Sequence, residues 1–243
     1  MNNSLSPDVQ MQLMRPGQLE AAARAFPVVY VPFGLIEWHG RHLPLGNDAL
    51  KAHAILVKTA EKHGGVVYPP VYYHSDLDGI DSVVNHLFRK LKDTGFRVII
   101  GVSGHNVQSQ ISMVETGLDG VRDGKTLAGM GMWEITLCEG NEDVGTDHAA
   151  KWETSNMMFF YPDRVDMSEL PDESVKMNLD MKPPYGIGGL DPRVHASAEA
   201  GEKNCEITAD AIGIKAHELL ESLPEDQRGF NCDEIIPGNW WMV

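Results

Sequence analysis

Apolar residues in this chain fall into short continuous runs that alternate with stretches of helical periodicity. Four runs, three of them rich in β-branched and aromatic residues, predict buried strands at 27–36, 66–73, 97–103 and 130–139. Apolar residues that recur every three or four positions, or flanking cap residues, predict helices at 48–62, 80–95, 111–118, 153–160 and 197–220. Asn47 is the predicted N-cap of the first of these helices.

The alternation of strands and helices predicts an α/β fold with a mostly parallel sheet. Helices would cover both faces of that sheet, which makes a three-layer α/β/α sandwich. Proline and glycine are frequent at 171–195, so that stretch is predicted to be irregular. We expect one domain over residues 1–243, with ligands bound beyond the carboxyl ends of the strands.

The net charge and the cysteine content limit which kinds of partner and which cellular location are expected. Acidic residues outnumber basic ones 35 to 20, for a net charge of −15, which argues against nucleic-acid and anionic-membrane binding. Cys138, Cys205 and Cys232 form no CxxC pair, so neither a disulfide framework nor a cysteine zinc site is expected. Met1–Ser4 lacks signal-peptide features, and no apolar run reaches the ~18 residues of a membrane span. These features predict a cytoplasmic protein with a small-molecule partner.

The first candidate site follows the strand at 27–36. Glu37 and His39 are two residues apart, so in extended chain their side chains point the same way, and Asp48 follows at a helix start. Two carboxylates and an imidazole suit Zn²⁺, Mn²⁺ or Fe²⁺. A polar turn followed by a helix cap is the alternative interpretation of these three residues.

Two further clusters offer ligands at the same end of the predicted sheet. His105 follows the strand at 97–103 by two residues, and His148 precedes Glu153 by five residues. Alone, His105 would be a strand-end histidine bonded to backbone, and Glu153 a helix-start carboxylate favoured by the helix dipole. Together with the first cluster, they supply ligands for one or two metal ions and a histidine for proton transfer.

Four segments, taken in order, resemble the creatininase family. VPFGLIEWHGRHLPLGND is similar to its E-x-H-G-x-H-L-P-x-x-x-D signature, and GFRVIIGVSGHN to its strand that ends in N-G-H. DHAAKWETSNMMFFYPDRVDM resembles H-A-G-x-x-E-T-S followed by P-x-x-V-D-M, and LDPRVHASAEAG resembles G-D-P-x-x-A-S-A-E-x-G. The resemblance covers roughly residues 10–220.

The resemblance implies a residue-by-residue assignment. Glu37, Asp48 and His105 would hold one divalent metal, and His39 would hold a second with Asp48 as the bridge. The family's glutamate two residues after the GH histidine is Val107 here, so Glu153 is the substitute candidate. His148 matches the family's proton-transfer histidine. The resemblance also implies a homo-oligomer, namely a hexamer.

Departures from the family pattern bear on the substrate. The chain has SGHNVQ where relatives have N-G-H-G-G-N, and its G-T segment is shortened around 75–80. The tryptophan-bearing loop of creatinine hydrolases has no counterpart in NEDVG at 141–145. These differences argue against creatinine itself as the substrate.

The resulting hypothesis is a metal-dependent amidohydrolase-type enzyme. Metal-activated water would attack a small cyclic amide or a related C–N bond, and His148 or Glu153 would take the proton of the water and deliver it to the leaving group. A hydrolase that opens a carbonyl-containing carbocycle or a sugar or inositol derivative is the alternative enzyme. A catalytically inactive scaffold that binds a metabolite is the alternative from another class, and metal content distinguishes it from the enzymes.

Overall fold

A parallel four-stranded sheet lies at the centre of the computed structural model, which describes residues 4–231. Its strands are β1 (Val28–Phe33), β2 (Val66–Val67), β3 (Val98–Ser103) and β4 (Ala128–Trp133). The order across the sheet is β2-β1-β3-β4, and every neighbouring pair is parallel. The predicted parallel sheet is therefore confirmed.

Seven α-helices accompany the sheet within residues 4–231. They are α1 (Pro16–Ala25), α2 (Asn47–His63), α3 (Ile80–Thr94), α4 (Gln108–Asp119), α5 (Lys151–Phe160), α6 (Pro192–His195) and α7 (Ala198–Glu221). The sequence interpretation missed α1, although Pro16 at its first position and the return hydrogen bond from Arg15 N–H to Gln18 are typical of a helix start.

Alternate residues of the strands bury apolar side chains on both faces of the sheet. Val29, Val31 and Phe33 pack in the core that includes α1, α3 and α4. Val28 and Tyr30 point to the opposite core, which includes α2, α5 and α7. Because a strand places successive side chains on opposite faces, both layers of helices are needed to cover it. The three-layer α/β/α sandwich is confirmed.

Several predicted boundaries differ from the structure; the strand predicted at 27–36, for example, ends at Phe33. The strand at 66–73 has only two residues, because Pro69 and Pro70 cannot donate ladder hydrogen bonds, and pairing resumes only as a bridge from Val71. The strand at 130–139 ends at Trp133 and is followed by a 3₁₀ turn, Thr136–Cys138. Asn47 is the first helical residue rather than the N-cap, a position that Gly46 occupies.

Some expectations concern residues beyond those that the structure describes. Cys138 and Cys205 are free, buried thiols, whereas Cys232 and Met1–Asn3 lie outside residues 4–231. Within that range, no helix is both long and apolar enough to cross a membrane. The single domain over 1–243 stays a prediction.

Candidate metal centre

The six predicted site residues meet at the carboxyl end of the sheet. Glu37 and His39 follow β1, and Asp48 lies in the first turn of α2. His105 follows β3, and His148 and Glu153 flank the start of α5. Parallel strands end at the same edge of a sheet, so loops far apart in sequence converge there.

Two glycines bring the start of α2 against the ends of β1 and β3. A methyl group on Gly104 would overlap the carbonyl oxygen of Asp48, and one on Gly34 would overlap the amide nitrogen of Ala49. Only glycine permits such a close approach between backbones. Asp48 is therefore held where the residues after both strands can reach it.

The first candidate subsite contains Glu37, Asp48 and His105. The Nδ1 atom of His105 lies 3.3 Å from Glu37 Oε1 and 3.3 Å from Asp48 Oδ2. Ligand atoms of all three residues lie within 4.8 Å of one another. This subsite is partly open, because the side chain of Glu37 is 26% exposed and that of His105 is 15% exposed.

The second candidate subsite contains His39, Asp48 and Glu153, which are all buried. The Nε2 atom of His39 lies 2.9 Å from Asp48 Oδ1 and 3.5 Å from Glu153 Oε2. Asp48 therefore offers one carboxylate oxygen to each subsite. This placement suits the bridging role that the family resemblance implies for Asp48.

These spacings fit a divalent ion. Two ligand atoms about 2.1 Å from one ion, at octahedral to tetrahedral angles, are about 3.0–3.4 Å apart. Glu37 Oε1, His39 Nε2 and Asp48 Oδ2 are buried and have no hydrogen-bond partner among the described residues. Buried polar atoms normally have partners, and these three face one another, so the donor set suits cations between them.

Backbone contacts orient two of the histidines. The Nδ1 atom of His39 is 3.3 Å from the Glu37 carbonyl oxygen, so a proton there leaves Nε2 free to face Asp48. The Nε2 atom of His148 donates to the Trp38 carbonyl over 2.9 Å, which leaves Nδ1 facing Glu37 Oε1 at 3.6 Å. In its neutral form, each of these two imidazoles would thus present a lone pair to a bound ion.

The site is electrostatically strongly coupled. Burial opposes charge on both His105 and Asp48, but the attractions between the positive imidazoles and the carboxylates that face them outweigh it. They raise the pKa of His105 to about 9 and, with His39, hold the pKa of Asp48 well below its usual range. Bound metal would take the place of the protons that the imidazoles carry, because histidine binds metal in its neutral form.

Sequence reasoning missed two residues behind this site, Lys51 and Glu134. Both are fully buried, and Lys51 Nζ lies 2.8 Å from Glu134 Oε1 and 2.7 Å from Glu153 Oε1. Lys51 is three residues after Asp48, so α2 presents both to the same side. That spacing from a candidate ligand was the available signal, but a helical lysine usually indicates a solvated face.

The segment before α5 is shaped around Glu153. Glu153 Oε2 accepts a 2.7 Å hydrogen bond from the N–H of Ala149, which has a positive φ of 53°. Asp147 is next to His148 in the sequence, but no hydrogen bond or ion pair joins their side chains among the described residues. The carboxylate of Asp147 accepts hydrogen bonds from the N–H groups of Trp152 and Glu153, so it caps α5 instead.

Comparison with known proteins places this arrangement among hydrolases. The family model described as "Creatininase: Creatinine amidohydrolase" matches residues 12–213. A creatinine amidohydrolase from Pseudomonas putida is 25% identical over 81% of this chain and 90% of its own length.

Solved structures share the fold. A crystal structure of creatinine amidohydrolase aligns with a TM-score of 0.69 at 23% identity, over 88% of this chain and 99% of the other. A manganese form of creatininase and a glutamate-to-glutamine variant of Zn–Zn type each align with a TM-score of 0.68 at 23% identity. Each alignment covers 86% of this chain. It covers 98% of the manganese form and 97% of the Zn–Zn variant.

Proposed function

Because the chain belongs to the creatininase family of metal-dependent hydrolases, we propose that it hydrolyses a C–N bond in a small cyclic amide or a related compound. The observation that carries this proposal is the pair of three-residue subsites that share Asp48. Zinc and manganese are the ions that we propose, since solved relatives carry them. Iron, a homo-oligomeric assembly, a cytoplasmic location and the absence of nucleic-acid partners stay predictions.

Six residues would do the work in this proposal. Glu37, Asp48 and His105 would hold one ion, and His39, Asp48 and Glu153 would hold the other. When bound, the ions lower the pKa of a coordinated water and polarise the substrate carbonyl. Water adds to the carbonyl carbon, the C–N bond breaks, and the products are a carboxylate and an amine.

The proton that water loses has to reach the leaving nitrogen. His148 is suited to carry it, because Nδ1 faces Glu37 while Nε2 is occupied by the Trp38 carbonyl. Its side chain is 20% exposed, whereas that of His39 is fully buried, so His148 can reach a substrate. Glu153, in this proposal, is a metal ligand that can also help in proton transfer.

The test is a metal analysis followed by a substrate screen. We expect the purified protein to hold one to two divalent ions, and His39→Ala and His105→Ala to lose both metal and activity. The control variants His63→Ala and His217→Ala should keep both, because these residues lie on α2 and α7 away from the strand ends.

The screen should compare cyclic amides and formamides with sugar lactones. Turnover of an amide supports the proposal, whereas turnover of lactones or ring ketones alone would replace it with carbocycle or sugar-ring opening. Absence of metal after reconstitution would contradict the metal-dependent reaction altogether.

Replacement of His148 should separate proton transfer from metal binding. We expect His148→Ala to lower kcat by about 10²–10⁴-fold, the usual effect of losing a positioned acid or base, while metal content is unchanged. Elemental analysis and steady-state kinetics on the same preparation check this. Loss of metal in this variant would instead make His148 a ligand, which its 3.6 Å distance from Glu37 allows.

A further inference from the structure

Lys51 is a buried cation whose ion-pair partners, among the residues that the structure describes, are two buried carboxylates. Its side chain is 1% exposed, and Nζ contacts Glu134 at 2.8 Å and Glu153 at 2.7 Å. Both partners are equally buried. Apolar residues of similar volume often replace a buried ion network without loss of stability, so stability alone does not account for a lysine here.

The geometry of Glu153 shows what the lysine does. One carboxylate oxygen, Oε1, binds Lys51, and the other, Oε2, accepts the Ala149 N–H over 2.7 Å. The carboxylate is therefore held at both oxygens, which leaves a lone pair of Oε2 facing His39, 3.5 Å away. Free rotation of the carboxylate about its last bond would otherwise remove that alignment.

Glu134 balances the positive charge of Lys51. Lys51 and Glu134 carry opposite charges, so together they add no net charge beside the carboxylate of Glu153. The lysine can therefore hold Glu153 in place without adding a net positive charge beside the second subsite. Within residues 4–231, no lysine contacts Glu37 or His105, whose side chains face each other, Asp48 and the neighbouring histidines.

From these contacts we propose that Lys51, supported by Glu134, is a positioning residue that prepares Glu153 as a ligand of the second metal subsite. The inference rests on the proposed function and deepens it. It predicts that the two metal equivalents respond differently to changes at Lys51. The second subsite should weaken selectively, and the first should not.

The test is a titration of the metal-free full-length protein with Co²⁺, whose visible d–d absorption reports coordination. The main variant is Lys51→Met/Glu134→Gln, which removes opposite charges together. It protects the experiment in case Lys51→Met alone does not fold. Lys62→Met, on the same helix but half-exposed, is the control.

We expect the wild type to bind two equivalents. In the double variant, the second equivalent should bind about 10–100-fold more weakly with an altered spectrum, as expected when a group that orients a ligand is lost. The first equivalent should be unchanged. Glu153→Gln should weaken the same equivalent, and adding Lys51→Met/Glu134→Gln to it should have little further effect, since both act through one carboxylate.

Three results would overturn the inference. The double variant could bind the second equivalent as tightly as the wild type, or it could bind both equivalents equally weakly. The loss of affinity in the double variant could also add to the loss caused by Glu153→Gln. Failure of the wild type to take up any Co²⁺ is a separate outcome, and it would contradict the proposed function itself.

Discussion

Asp48→Asn should abolish hydrolysis and remove most bound metal. Asp48 offers one oxygen to each subsite, and an amide supplies only one neutral oxygen in place of two charged ones. A metal contributes several kcal/mol to the stabilisation of the transition state, so we expect a rate loss of about 10³-fold or more. Elemental analysis and turnover measured on one preparation check both effects.

Asp81→Asn is the matched control. Asp81 is the second residue of α3, as Asp48 is of α2, so both lose the same favourable interaction with a helix N-terminus. Asp81 is exposed and belongs to no metal group. If Asp48→Asn held as much metal as the wild type, the ions would have to bind at a site that does not include Asp48.

Gly104→Ala should destabilise the fold and disturb the site together. The added methyl would overlap the carbonyl oxygen of Asp48, which is backbone and cannot rotate away as a side chain could. Either α2 moves from β3 or His105 moves from Asp48. Overpacking of this kind costs about 1–3 kcal/mol, and we expect the upper end of that range. Denaturant unfolding of the metal-free protein, followed by metal titration, measures both consequences.

Gly17→Ala serves as the control for that substitution. Gly17 lies in α1 with no atom near an added methyl, so alanine there should be neutral or stabilise by about 0.5–1 kcal/mol. Equal unfolding free energies for Gly104→Ala and Gly17→Ala would contradict the close packing of α2 against the strand ends.

Most of the architecture could be predicted from the sequence, because the spacing of apolar residues differs between buried strands and amphipathic helices. The runs at 27–36 and 97–103 are apolar and rich in β-branched residues, which favours buried strands, and the 80–95 pattern matches α3 closely. Strand ends were less certain, since Ile135 and Leu137 extend an apolar pattern without extending the sheet. Pairing depends on partners far along the chain, and local pattern contains no information about them.

Some residues of the candidate site could be predicted from the sequence, and others could not. Glu37, His39, Asp48 and His105 follow strands or begin a helix, so their convergence could be predicted from topology. Lys51 and Glu134 could not be paired in advance, because 83 positions separate them and neither follows a recognised motif. The two residues meet only after the chain has folded, when Lys51 of α2 comes within 2.8 Å of Glu134, the residue that follows β4.

The shortness of β2 has a consequence for self-association. An edge strand with free N–H and C=O groups invites another chain to add a strand. Here the edge offers two ladder residues before Pro69 and Pro70, and Gln10 forms a parallel bridge with one of them, Val67. This edge of the sheet therefore resists intermolecular strand addition, so copies of the chain that meet along it would have to do so through helices and loops.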